Sequence, residues 1–285
     1  MLFDINLLKE NADDVKKYRE IQKQCESQGI FDRDIDQIDP NSFYPVTEDF
    51  KFIKKGPIFN IKKCVYMSIL KHYTKKINKE LTNLKVVGKE NIKGIKGGAI
   101  ITCNHVSKVD SFAVREAVKY DINYVANDYN NWKGILGDVG RHTGFIPISQ
   151  KLDRKLMRKF NEALDYYIGK KHRKVLIYPE QSMWREEPRP RPLKDGAFHY
   201  AVKYNVPVIP TFITFTPKEQ MIDDQNRQNL SDYTIHVLPP IYPNNKLEKK
   251  DNIAYMRDKN YQLWKETYEK FYNKPVEFHI ESITK

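Results

Sequence analysis

The chain has 285 residues, 40% of them hydrophobic and 30% charged, with 18 Tyr and 14 Phe. That length and composition allow a sizeable core and exclude wholesale disorder. The formal charge of +12 favours an anionic partner without choosing among nucleic acid, a membrane surface and an acidic carrier protein.

Cys25, Cys64 and Cys103 stand far apart, so neither a disulfide framework nor a structural zinc site is expected, and a reducing cytosol suits the chain. No basic n-region with a following apolar run opens the sequence, so no signal peptide is expected. No apolar run approaches the ~20 residues of a membrane span, so membrane contact is expected to be peripheral.

In chain order, the stretch from Asp4 to Cys25 reads as a helix, with Ile5, Leu8, Ala12, Val15 and Ile21 at helical spacings. An irregular acidic connector follows, carrying Asp32, Asp34, Asp36 and Asp39. The predicted organisation is an N-terminal helix and connector over 1–57 and a main domain over 58–285. From Ile58 to Leu81 a second helix is expected, with Ile58, Ile61, Val65, Ile69, Tyr73 and Ile77 in one stripe and its lysines largely off it. Such a basic amphipathic helix either lies on an anionic bilayer or packs its stripe on its own core. Strands are predicted at 84–87, 99–103, 123–126, 145–148, 175–178, 206–215 and 233–238. Helices are predicted at 152–168, 197–204 and 252–272. This alternation predicts an α/β domain with a mixed, largely parallel sheet flanked by helices.

The apolar run Ala99–Cys103 feeds straight into Asn104-His105-Val106-Ser107-Lys108-Val109-Asp110, and helical spacing begins at Ser111. A loop this short can fold the Asp110 carboxylate back onto the His105 imidazole, as a general base requires. The same spacing also fits Asp110 as a helix cap and His105 as an ordinary loop residue. Three further stretches place polar or proline-bracketed residues at strand ends. They are Gly144-Phe145-Ile146-Pro147-Ile148-Ser149-Gln150, Tyr178-Pro179-Glu180-Gln181-Ser182 and Val206-Pro207-Val208-Ile209-Pro210. Strand ends of an α/β sheet converge on one rim. Walker, dinucleotide-binding and zincin motifs are absent from the sequence, and nothing in it resembles a nucleic-acid motif.

In this order the four stretches resemble the glycerolipid acyltransferase family. Its pattern is Asn-His-x-x-x-x-Asp, then Gly-x-x-Phe-Ile-x-Arg, then Phe-Pro-Glu-Gly-Thr-Arg-Ser, then Val-Pro-hydrophobic-hydrophobic-Pro. The resemblance runs from Asn104 to Pro210 and implies a single acyltransferase domain. It implies transfer of a fatty acyl group from coenzyme A or acyl carrier protein to a lysophosphatidate-like lysolipid, in phospholipid biosynthesis. His105 would be the base, Asp110 its orienting partner, and Glu180 and Ser182 would organise the acceptor side. No metal or organic cofactor is implied. The expected setting is cytoplasmic, on an anionic membrane surface, without nucleic acid.

The departures bear on the acceptor. Gln150 and Met183 stand where the family has the arginines that bind the acceptor phosphate, and Gln181 stands at a family glycine. Gln150 can still donate a neutral hydrogen bond, and Arg185, Arg189 and Arg191 follow closely enough to compensate, unless they form a solvated loop with proline spacers. The alternatives are acylation of a glycan or another lysolipid, and a non-catalytic basic membrane-binding protein.

Overall fold

A computed structural model describes residues 5–36, 38–149, 153–218, 226–228 and 230–280. Gln150, the acceptor-side candidate from the second stretch, lies outside the described residues.

The strands are β1 (Glu10–Asn11), β2 (Lys85–Val87), β3 (Ala99–Thr102), β4 (Asn123–Asn127), β5 (Phe145–Ile148), β6 (Lys174–Ile177), β7 (Val208–Thr216), β8 (Arg227–Gln228) and β9 (Asp232–Val237). The helices are α1 (Ala12–Ser27), α2 (Pro57–Glu80), α3 (Asp110–Ala117), α4 (Gly134–His142), α5 (Arg154–Leu164), α6 (Gly196–Tyr204) and α7 (Lys249–Tyr272). Seven strands form one sheet in the order β2-β9-β7-β3-β6-β4-β5. The five from β7 to β5 run parallel, while β9 pairs antiparallel with β7 and parallel with β2. The sheet is therefore mixed and largely parallel, as the alternating pattern predicts.

Strand β3 shows why both faces must be covered. Ala99 and Ile101 enter one apolar cluster with Val109, Ala113 and Val114, while Ile100 enters the other with Phe160, Ala163 and Phe198. Successive side chains of a strand point to opposite faces, so an apolar run in a central strand requires helices on both sides.

Two expectations change. The N-terminal helix starts at Ala12, because Asn11 accepts hydrogen bonds from the main-chain N–H groups of Asp13 and Asp14 and caps it there. Residues 5–8 form a 3-10 turn instead. Helix α4 is unannounced by periodicity because it carries Gly134, Gly137 and Gly140, poor helix formers. Gly137 is needed there, since a Cβ would stand 1.6 Å from the Trp132 carbonyl oxygen.

The acidic connector is irregular as expected but does not stand apart from the main domain. Phe43 forms a β-bridge with Trp132, and Phe52 joins the apolar cluster on the α5 side of the sheet. The stripe of α2 is split: Leu70 and Ile77 are buried, while Ile58, Ile61 and Val65 are 72%, 67% and 56% exposed.

Candidate active site

His105 lies three residues beyond the end of β3, and Asp110 opens α3. Asp110 is fully buried, and its Oδ2 accepts from the main-chain N–H groups of Val106 (2.8 Å) and Ser107 (3.0 Å). The same oxygen lies 2.9 Å from His105 Nδ1. An oxygen already accepting two hydrogen bonds in a carboxylate sets the tautomer: His105 donates from Nδ1, and Nε2 is left to take a proton. Burial raises the Asp110 carboxyl above its ordinary value, against the lowering effect of the His105 contact. Its Oδ1 is buried with no hydrogen-bond partner among the described residues.

The imidazole is held from three further directions. The Tyr178 ring stacks on it with centroids 3.9 Å apart and planes 15° from parallel. The main-chain N–H of His105 donates to Glu180 Oε2 (3.0 Å), and its carbonyl accepts from the N–H of Trp184 (2.9 Å). Asn104 anchors the loop to β7: its side-chain amide donates to the Ile213 carbonyl (2.9 Å) and accepts from the Ile213 N–H (2.7 Å). Cys103 beside it is fully buried, and burial pushes its thiol well up, away from thiolate chemistry.

The ring, 23% exposed, opens into a cleft of about 800 Å³. One part of the wall is apolar, with Ile69, Leu70 and Tyr73 from α2, Phe112 from α3, and Ile135 and Val139 from α4. Another part is polar and includes Ser182, Gln181, Arg185 and Lys108 together with aspartates of the acidic connector.

The acceptor-side candidates separate. Ser182 lines the cleft, and its hydroxyl accepts from Arg191 Nη1 (3.0 Å). Glu180 does not line it. Its carboxylate is 2% exposed and binds the His105 N–H, the Arg191 N–H (2.8 Å) and Arg191 Nη2 (2.8 Å). Glu180 is therefore a strut between the third stretch and the His105 loop. Gln181 adopts φ +67°, the left-handed region that glycine enters without strain, which accounts for a glycine preference at this position.

Arg185 reaches the cleft wall, with Nη2 2.5 Å from Asp36 and Nε 3.6 Å from Glu10. Arg189 does not line the cleft. It makes paired contacts with Glu26 (2.9 and 2.7 Å) and Glu187 (2.7 and 2.9 Å). Burial works against its charge, yet Glu187 and Glu26 outweigh it and hold its pKa above the ordinary value. The Arg-Pro segment is thus not a solvated loop; Tyr18, Cys25, Ile35 and Trp184 form a small core beneath it. Asn104, Tyr178 and the bracing role of Arg191 are absent from the sequence-based site. Their signal lay in position, since each is within or beside a motif stretch, but the contacts join segments far apart in the chain.

Among the described residues, no group of three or more His, Cys, Asp or Glu side chains could hold a metal ion. No helix among them is long and apolar enough to cross a membrane.

Residues 83–214 match the family model described as Acyltransferase. A 1-acyl-sn-glycerol-3-phosphate acyltransferase from Limnanthes douglasii is 27% identical over 133 residues, covering 47% of this chain and 46% of that protein. The chain thus spans about half the length of that curated relative. The crystal structure of the 1-acyl-sn-glycerophosphate (LPA) acyltransferase PlsC from Thermotoga maritima aligns with a TM-score of 0.57 at 17% identity, over 78% of this chain and 86% of that one. The two share a fold.

Proposed function

Residues 83–214 belong to the acyltransferase family, and from that premise we propose that the chain transfers a fatty acyl group from a thioester to a hydroxyl of a lysolipid. The donor is acyl coenzyme A or acyl carrier protein. The observation that carries this reading is the His105–Asp110 pair, 2.9 Å apart, opening into a partly apolar cleft of about 800 Å³.

His105 Nε2 takes the proton of the acceptor hydroxyl as its oxygen attacks the thioester carbonyl. The new C–O bond forms a tetrahedral oxyanion, the C–S bond then breaks, and the leaving sulfur takes the proton back from the imidazolium. Asp110 holds the ring in the required tautomer and stabilises its cation. General-base help of this kind is worth roughly 10²–10⁴-fold. The apolar wall from α2 and α4 suits an acyl chain. The exposed Ile58, Ile61 and Val65 of α2, with Trp132, Ile135 and Leu136 at 43%, 45% and 40% exposure, suit peripheral docking on the membrane that supplies the lipid. Lys62 and Lys75 on α2 are exposed and would add attraction to anionic headgroups.

The test is release of free thiol from a labelled acyl thioester by purified protein, with and without lysolipid acceptors. Acceptor-dependent release that yields a diacylated product supports the reading. No release with any acceptor, by protein that still sediments with anionic vesicles, would leave only a membrane-binding protein.

A further inference from the structure

The arginines nearest the active site are already bonded within the protein. Arg185 lies on Asp36 and Glu10, Arg189 is gripped by Glu26 and Glu187, and Arg191, 1% exposed, lies on Glu180 and the Phe31 carbonyl. Arg115 also lines the cleft, but it is 2% exposed and donates to the carbonyls of Tyr120 and Thr143. Lys194 pairs with Asp32 at 2.7 Å. That leaves Lys108, exposed and on the same cleft as His105, as a cleft cation with no carboxylate within ion-pair distance among the described residues, though Glu10 feels its charge.

The carboxylates matter as much as the cations. Asp32, Asp34, Asp36 and Asp39 of the connector all line the cleft, against Lys108, Arg115, Arg185 and Lys194. Among the described residues, the formal charge of this lining is balanced. A phosphate monoester carries close to two negative charges at neutral pH and would meet, among those residues, a single flexible ammonium outside an ion pair. Recruiting Arg185 through its Asp36-bonded Nη2 would displace Asp36 and leave that carboxylate uncompensated, which is costly. The uncharged polar lining includes Asn127, Asn130, Gln181 and Ser182, with the exposed ring of Trp132 beside them. Amides, hydroxyls and carboxylates are hydrogen-bond partners for hydroxyl groups.

We propose that the acceptor is a single-chain lipid whose head is an uncharged polyol, glycerol or sugar, with no phosphate monoester, and that the Arg185–Asp36 pair sets this choice. The inference rests on the acyl-transfer reading above and concerns only which hydroxyl compound the cleft admits.

Acceptor-dependent thiol release by the full chain decides it. Lysophosphatidate, monoacylglycerol and a monoacyl glucosyl lipid, each presented in the same neutral detergent micelles, are compared by kcat/KM. At least a tenfold preference for one of the two uncharged acceptors is expected. The Asp36→Asn variant, which leaves Arg185 less compensated, should shift the ratio of lysophosphatidate to uncharged acceptor about tenfold towards lysophosphatidate. A ratio cancels any loss of folded protein common to both reactions. Wild type preferring lysophosphatidate overturns the proposal while leaving acyl transfer intact, and so does a ratio that Asp36→Asn does not move. Release with none of the three overturns acyl transfer to a lysolipid itself, and the proposal with it.

Discussion

Asp110 and Glu180 are buried carboxylates beyond the C-terminal ends of adjacent parallel strands, and each holds His105, yet their partners differ. Asp110 faces an imidazole, two main-chain N–H groups and nothing at Oδ1 among the described residues. Glu180 faces a guanidinium that stays charged, and both of its oxygens are engaged. A carboxylate whose partner titrates can favour that partner's cation when it forms. One neutralised by arginine can only hold geometry. The same residue class, at the same depth and one strand apart, thus supports either chemistry or architecture, and the partner decides which.

The largest expected effect falls on the group both carboxylates serve. His105→Ala should leave a folded protein with acyl transfer reduced at least a hundredfold, since the proton acceptor is gone. Thiol release near the wild-type rate, with an unchanged melting temperature, would remove the base from the mechanism.

Glu180→Gln should act on stability first. It leaves the buried Arg191 charge without its counter-ion, a loss of about 3–5 kcal/mol. The chemical-denaturation midpoint checks this, and a variant as stable as wild type would show that Glu180 is not a strut.

Asp110→Asn should show the opposite pattern. The amide oxygen can keep the two main-chain N–H groups while the charge that stabilises the imidazolium is lost. Activity should fall by about ten- to a hundredfold, less than for His105→Ala, with stability within ~1 kcal/mol of wild type. Asp110→Asn unfolding while Glu180→Gln stays folded and inactive would exchange the two roles.

A last effect, spread across a pH window rather than read at one pH, concerns a half-buried ammonium. Lys54 donates to the Arg141 carbonyl (2.9 Å) and sits over the Phe50 ring, with no carboxylate within ion-pair distance among the described residues. Burial, with Arg141 nearby, lowers its pKa to about 8 from 10.5. Below pH 8 both folded and unfolded chains hold the proton, and burying the charge costs stability. Between about pH 8 and 10.5 only the unfolded chain holds it, so stability recovers as pH rises, by up to ~3 kcal/mol. Lys54→Met should flatten that rise in a comparison of unfolding free energies across the window. A parallel pair of curves would show that Lys54 is solvated.

The His105 loop was legible because strand, loop and helix are contiguous, so a five-residue separation and a change of period place the imidazole and carboxylate together. The acceptor side was less legible. Arg185, Arg189 and Arg191 look alike in sequence, each beside a proline or an acidic pair. Their partners Asp36, Glu26 and the Phe31 carbonyl come from the N-terminal segment, more than a hundred residues away. No local pattern says which cation a distant carboxylate neutralises.

The sequence by itself determined the α/β alternation, the parallel core strands, the four stretches at the strand ends and the short loop that carries His105 and Asp110, because hydrophobic period and short loops are local constraints; that the two side chains pair is a finding of the structure. Tertiary structure alone decided that the acidic connector lines the cleft, that Glu180 braces the loop, and that the C-terminal part of the α2 stripe packs inward while the N-terminal part stays exposed. It also decided that the arginines beside the site are neutralised. Those outcomes depend on which surfaces meet across the fold, and burial makes the ion pairs of distant segments matter far more than their spacing along the chain.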